Sequence, residues 1–507
     1  MAFAALGFVI HAVSERIHRT QRGRDAPALA AGAFYTSHNH TTTCVLLASI
    51  MATTAPCWLQ PWEPSARPKT SSLVAWRHAA VRSKYPAKRA ASDFYQTLCF
   101  WRLMCYNKQS YKRTGEHVKR IITILMFCLL LKAGCALAEP AREITAECAI
   151  SGASRSTLEQ IRDGKYFTSW LGPNSGALRV TAPQGEAIHG VYIQFYEDGC
   201  AFDVQVRGNG DEWVGAAACD TDYLTGYAAL PQGAQEIRIL PGEGGTRLSI
   251  AELHVFADGE TPDWVQHWEA PCADADLLVL AAHPDDEMLF MGGTIPYYAG
   301  QRQMAVQVAY LVPSMPYREL ELLDGLWLCG VRNYPDLGPF PDRYRLYVRE
   351  MYQEKGWKES RVLRYVAGLY RRYRPEVVVT HDVNGEYGHG AHKVAADAAQ
   401  RCIALAADAS WQDEQLAVQE PWQVQKLYLH LYDAGQIRMD WRVPLEAFGG
   451  KTAFDMAEAA FACHTSQQKT DYHVEDFGPY DNAVFGLAYS AVGEDTSGDD
   501  FFEHITR

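Results

Sequence analysis

The feature that most constrains this chain is a set of short apolar runs alternating with helical periodicity through its C-terminal half. Asp276–Ala282 (DLLVLAA) is a continuous apolar run of the kind found in strands buried on both faces. Further strands are expected at Ala305–Val312 (AVQVAYLV), Glu376–Thr380 (EVVVT) and Gln425–Leu431 (QKLYLHL), with helices at Val362–Tyr373 and Val394–Ala407. This alternation predicts an α/β domain over residues 272–507, a mostly parallel sheet with helices on both faces. Ligands of such sheets gather beyond the carboxyl ends of the strands.

The preceding segment, residues 139–258, has a different rhythm. Gly190–Tyr196, Ala201–Arg207, Glu236–Leu240 and Arg247–Phe256 alternate apolar with polar residues and are separated by Gly, Asp, Asn and Pro clusters. That pattern predicts an all-β sandwich in which each strand buries one face. Residues 259–271 read as a linker between the two domains.

Charge divides the chain again. Residues 1–138 hold 18 Lys and Arg against 5 Asp and Glu, whereas residues 139–507 hold 29 against 55. An acidic body of that size repels phosphate backbones and excludes nucleic acid as a partner. The boundary has the layout of a secretory signal peptide over residues 118–138: Lys119-Arg120, the apolar run Ile121–Leu131, then Ala136-Leu137-Ala138. The run is too short for a stable membrane span; a short anchor or a core helix is the alternative. We therefore expect an exported protein, secreted or in the cell envelope, with residues 1–117 as an unstructured extension or misassigned upstream translation. Export permits disulfides. Of the seven cysteines after residue 138, Cys148, Cys200, Cys219 and Cys272 are the ones placed to pair, while Cys329, Cys402 and Cys463 lie in helix-like patterns as buried thiols.

Chemistry concentrates in two clusters. After the first α/β strand comes Ala282-His283-Pro284-Asp285-Asp286-Glu287. Proline and acids at a helix start are ordinary capping chemistry. His283 is not explained that way. An imidazole and the Asp286 carboxylate three positions apart on a tight turn can converge on one divalent cation, with Asp285 pointing toward the same opening. A later strand end supplies His381-Asp382-Val383-Asn384-Gly385-Glu386-Tyr387-Gly388-His389-Gly390-Ala391-His392, in which His389 and His392 share a helix face. Two histidines and one aspartate, with a position left for water, make a catalytic zinc site, although such ligands also suit iron or cobalt.

These motifs, with Arg318-Glu319-Leu320-Glu321, Cys329-Gly330-Val331, His464-Thr465-Ser466-Gln467 and the tail from Phe485 to Glu503, resemble the PIG-L / LmbE-like family of zinc-dependent sugar de-N-acetylases. The resemblance implies a Rossmann-like fold and one zinc ion held by His283, Asp286 and His392. It also implies Asp285 as general base, a protonated His389 as acid or oxyanion partner, Tyr387 as a further hydrogen-bond donor, and Arg318 in contact with the sugar. A surface helix pair with Glu319 and Glu321 is the alternative for Arg318. Asp382 and Glu386 either orient ligand histidines or solvate a loop, and Tyr344, Tyr347, Trp357 and Tyr387 are candidates to line a sugar groove. One departure is Gly390-Ala391, where the family often carries Asp between the paired histidines.

The segment Leu158–Gly164 with Thr168-Ser169-Trp170, closed by Ile250–Phe256, resembles discoidin-like (coagulation factor 5/8 type C) modules. It implies a glycan contact in which Tyr166, Phe167 and Trp170 stack on sugar, a core position being the alternative for Trp170. The function implied is removal of acetyl from N-acetylglucosamine-type sugars or glycoconjugates by an exported zinc hydrolase. Hydrolysis of another amide or thiol conjugate, and a silent glycan-binding protein, are the rivals.

Overall fold

The computed structural model describes residues 139–507, apart from 154–156, 198–200, 209–211, 314, 412–418 and 507. The expected signal peptide and upstream extension lie outside the described residues, as does Cys200. No helix among the described residues is long and apolar enough to cross a membrane.

The first domain is built from β1 (Ala149–Ser151), β2 (Trp170–Leu171), β3 (Leu178–Thr181), β4 (Ile188–Phe195), β5 (Phe202–Arg207), β6 (Trp213–Cys219), β7 (Thr225–Ala234), β8 (Glu236–Pro241) and β9 (Ser249–Phe256). They form a five-stranded sheet, β1-β3-β8-β5-β6, and a four-stranded sheet, β2-β9-β4-β7, with antiparallel neighbours throughout. Leu178, Val180, Ile237, Ile239, Phe202 and Val204 alternate inward along their strands and meet Ile193, Phe195 and Leu253 from the other sheet.

The expectation that each strand buries one face fails for β4 and β9, which are buried along nearly their whole length. Their outer face is covered. Tyr192 and Phe256 pack on Val265 from the segment read as a linker, and Leu320 and Leu323 of the α/β domain join the sandwich core. Polar residues complete the junction: the Tyr166 hydroxyl donates to Asp324 Oδ2 at 2.5 Å, and the Gln266 side chain donates to Oδ1 at 2.6 Å.

This arrangement corrects two of the sugar-contact expectations. Trp170 is fully buried in the sandwich core, and the Tyr166 hydroxyl is bonded at the domain junction. Phe167, 63% exposed, is the member of the three left open to solvent.

Burial pushes the Asp324 carboxyl up to about 6, against the opposing pull of the Tyr166 and Gln266 hydrogen bonds. A folded pKa raised above the unfolded value of about 3.9 means that the fold favours the protonated form. The stability this group contributes is complete below about pH 4 and is lost as pH rises through about 6. Asp324→Asn should therefore flatten the fall in melting temperature between about pH 4 and 6 relative to the wild type. Parallel melting curves for the two proteins across that window would contradict this.

The second domain contains β10 (Leu277–Ala281), β11 (Val306–Tyr310), β12 (Asp336–Leu337), β13 (Val377–Thr380), β14 (Lys426–His430), β15 (Gln436–Arg438) and β16 (Val484–Ser490). Its helices include α1 (Asp286–Leu289), α2 (Pro316–Leu328), α3 (Glu359–Tyr373), α4 (Gly390–Ala407) and α5 (Ala453–Cys463). The sheet order is β12-β11-β10-β13-β14-β16-β15, parallel from β12 to β14, with β16 and β15 antiparallel at one edge.

Side chains of β10 divide between two cores. Leu277, Val279 and Ala281 face a cluster shared with α2 and α5, whereas Leu278 and Leu280 face one shared with α3 and α4. Each such side chain contributes about 1.5–3 kcal/mol by leaving water. Local chemistry sets the helix limits. Thr452 and Asp455 form a reciprocal capping box at the start of α5, and α3 ends where Arg374 turns left-handed before Pro375.

The chain leaves β10 toward β11 and β12 on one side and later adds β13 and β14 on the other. The crevice at the carboxyl ends of β10 and β13 is thus a topological switch point, and both histidine clusters open onto it.

Of the four cysteines placed to pair, the three among the described residues, Cys148, Cys219 and Cys272, are free thiols, and so are Cys329, Cys402 and Cys463 as expected. Cys148 belongs to the sandwich core and Cys272 to one of the α/β cores, so no approach between them is open.

Candidate metal centre

The turn after β10 brings Asp285 and Asp286 to the crevice on a strained backbone. Asp285 has φ 118° and ψ −30°, a conformation that side chains other than glycine rarely adopt. It is held from several directions. Its N–H donates to Glu287 Oε2 at 2.9 Å, and Arg318 Nη2 of α2 donates to Asp285 Oδ2 at 3.0 Å and to the Pro284 carbonyl at 2.6 Å. Arg318 is therefore neither a surface helix pair nor remote from the site. Glu321 points elsewhere, accepting from Thr465 and Ser466.

Asp286 Oδ2 accepts from the His283 N–H at 2.7 Å and lies 3.1 Å from His283 Nδ1, 3.4 Å from His392 Nε2 and 3.5 Å from His381 Nε2. Two groups have ligand atoms mutually within 4.8 Å: His283, His389 and His392, and Asp286, His381 and His392. His392 is common to both, and the sequence-derived trio of His283, Asp286 and His392 spans them. Hydrogen bonds decide which nitrogens remain open. His381 Nε2 accepts from the Ala282 N–H at 2.9 Å while Nδ1 donates to Glu386 at 2.7 Å, so both its nitrogens are engaged. His392 Nδ1 donates to Glu386 Oε2 at 2.7 Å, which fixes the tautomer and leaves the Nε2 lone pair toward Asp286. A ligating imidazole anchored to a carboxylate through its other nitrogen is the usual support of a metal site. The donor set therefore fits a divalent cation.

Glu386, fully buried, is the hub. Besides His381 and His392 it accepts from His430 Nδ1 at 2.6 Å and from the Asp382 N–H at 3.2 Å. Of the two roles open to it in the sequence, the structure gives it the orienting one. Asp382 shapes the loop, its Oδ1 accepting from the Asn384 N–H at 3.0 Å.

Charges follow from this packing. Burial works to raise Glu386 and Asp286, but the surrounding imidazoles outweigh it and hold both carboxyls low. Burial and the neighbouring Asp286 push Asp285 up to about 7, against the downward pull of Arg318. His389 is pushed down to about 3 by burial and by His283 and His392. That direction runs against the expectation of a protonated His389 and favours its neutral form. Its buried Nδ1 has no hydrogen-bond partner among the described residues.

Tyr387, in left-handed backbone at φ 45°, places its hydroxyl 3.4 Å from His392 Nε2. Tyr344 is exposed with its ring 5.2 Å from that of His389. Trp357 is a core residue, and Tyr347 is exposed beside Lys393, so neither touches the histidine cluster in the way Tyr344 does.

The Gly390 departure has a steric reason. A Cβ there would lie 2.6 Å from the Arg345 carbonyl, which instead accepts the Gly390 N–H at 2.7 Å. Sequence reasoning gave no role to His381 or His430, or to Glu287, which is buried 3.3 Å from His464. Glu386 was visible as an acid within the histidine motif, but a lone His in QKLYLHL looks like any core residue.

Residues 278–403, which contain both clusters, match the family model described as PIG-L: GlcNAc-PI de-N-acetylase. A 1D-myo-inositol 2-acetamido-2-deoxy-alpha-D-glucopyranoside deacetylase of Streptomyces avermitilis is 33% identical over 158 residues, which is 25% of this chain and 53% of that protein. The Acidothermus cellulolyticus protein of the same name is 30% identical over 156 residues, 25% of this chain and 52% of its own. The chain spans about half the length of the curated relatives it matches. Among solved structures, the N,N'-diacetylchitobiose deacetylase from Pyrococcus horikoshii is 17% identical over 40% of this chain and 75% of that one, with a TM-score of 0.30. A family 32 CBM from Clostridium perfringens NanJ, in complex with galactose, is 21% identical over 23% of this chain and 98% of that one, with a TM-score of 0.20.

Proposed function

We propose that this protein is a zinc-dependent hydrolase that removes acetyl groups from N-acetylglucosamine-type sugars or glycoconjugates. The observation that carries the reading is the Glu386 hub: one buried carboxylate orients His392 toward Asp286 and His283, with Asp285 beside them under Arg318. The PIG-L match and the deacetylase relatives support the same class of chemistry.

His283, Asp286 and His392 would hold the cation, which when bound supplies an acidified water and polarises an acyl oxygen. Asp285 accepts the proton of the attacking water and returns it to the leaving nitrogen as the C–N bond breaks. Burial raises this carboxyl, and a neighbouring cation favours the ionised form that accepts the proton. Arg318 fixes the carboxylate's direction. As a neutral imidazole, His389 donates a hydrogen bond to the acyl oxygen as it gains charge, and the Tyr387 phenol adds a second donor. Each donor of this kind is worth about 2.7–4 kcal/mol of barrier.

The test is acetate release by the purified protein across a panel of N-acetylated sugars. The expected result is release that a chelator abolishes and added zinc restores. Release indifferent to the chelator, or none from any sugar, would overturn the reading. We also propose export, on the residue 118–138 pattern; N-terminal sequencing of culture-medium protein should begin near Glu139, and recovery of an intact upstream segment would contradict it.

A further inference from the structure

We propose that Tyr344 and Tyr472 form a stacking subsite that holds a second sugar ring next to the candidate metal centre, so that neutral N-acetylated glycans of two or more rings are preferred over a single sugar. The inference rests on the de-N-acetylase reading and deepens it.

Two loops far apart in sequence each bring a tyrosine ring to the adjacent Tyr387 and His389. Tyr344, between β12 and α3, is 61% exposed with its ring against His389. Tyr472, between α5 and β16, is 42% exposed with its ring 5.1 Å from that of Tyr387. These are large aromatic faces left to water beside His389, whose buried Nδ1 has no hydrogen-bond partner among the described residues. An aromatic face with a polar tip suits the C–H face of a pyranose, whose hydroxyls reach the phenol and the solvent.

The Tyr344 loop is held there by a feature of this chain. With no side chain at Gly390, the Arg345 carbonyl approaches the start of α4 closely enough to accept its N–H. Charge argues for a neutral occupant. Arg345 pairs with Glu354 at 2.5 Å, Lys393 donates to the Leu346 carbonyl at 2.8 Å, and Arg318 is engaged with Asp285. These neighbouring cations are already partnered, which disfavours an anionic conjugate.

The experiment compares kcat/KM for acetate release from N-acetylglucosamine, its β-1,4 dimer and longer oligomers. Wild type, Tyr344→Ala, Tyr472→Ala and the two Phe variants would be used. The wild type should favour the dimer by about tenfold or more, with each Ala variant reducing that ratio by roughly the same factor through KM and each Phe variant retaining it. An active wild type without chain-length preference, or Ala variants whose losses on monomer and dimer are equal, would overturn the subsite alone. A wild type that releases acetate from none of these sugars would remove the functional reading and the subsite with it.

Discussion

Asp285→Asn should lower kcat by about 10²–10⁴-fold while the protein keeps its metal. The amide cannot accept the water's proton, yet it preserves the size of the side chain and leaves His283, Asp286 and His392 in place. Arg318 would still find an oxygen at that position and at the Pro284 carbonyl. The two readouts separate base from ligand. Metal analysis showing that Asp285→Asn loses its ion as completely as His283→Ala would contradict the assignment, and so would turnover close to the wild type's.

Glu386→Gln is expected to act differently. Glu386 accepts from three imidazoles and is fully buried among them. An amide in its place must turn a donor toward at least one ring N–H, and a charge that the surrounding histidines stabilise disappears. Weakening this support should cost about 10–100-fold in metal affinity. Removing one partner of a buried charged network also destabilises the fold, by about 3–5 kcal/mol. Chelator competition and denaturant melts read these effects independently. A variant with wild-type metal affinity and wild-type stability would show that Glu386 fills space and does not organise the site.

The fold was legible in the sequence where burial is local. The expected sandwich strands overlap β4, β5, β8 and β9, with ends displaced by at most two residues. The apolar runs at β10, β11 and β13 stand out because both faces are covered by helices close in sequence. β6 and β7 escaped the reading because Ala, Gly and Pro dominate them, and these residues weaken any alternation. The second buried face of β4 and β9 was invisible for a different reason: Trp264 and Val265, which pack on Tyr192 and Phe256 there, come from a segment that carries no sign of where it docks.

The candidate site divides in the same way. His283, Asp285, Asp286, His389 and His392 sit in two short motifs whose spacing suggests chemistry. Their organisation depends on partners that no spacing reveals, such as His430 on β14 and Arg318 on α2. The protonation of His389 depends on how deeply three histidines are packed together, a property of the folded site and not of any one residue's neighbours in sequence.

The central claim is that a single cation is shared by His283, Asp286 and His392, with His389 outside the ligand set. Metal content after zinc loading and removal of free ion tests it most directly, comparing wild type with Asp286→Ala, His392→Ala and His389→Ala. We predict about one ion per chain in the wild type and in His389→Ala, and loss of the ion in the other two. Retention by Asp286→Ala together with loss from His389→Ala would move the ion to the three-imidazole group and contradict the account.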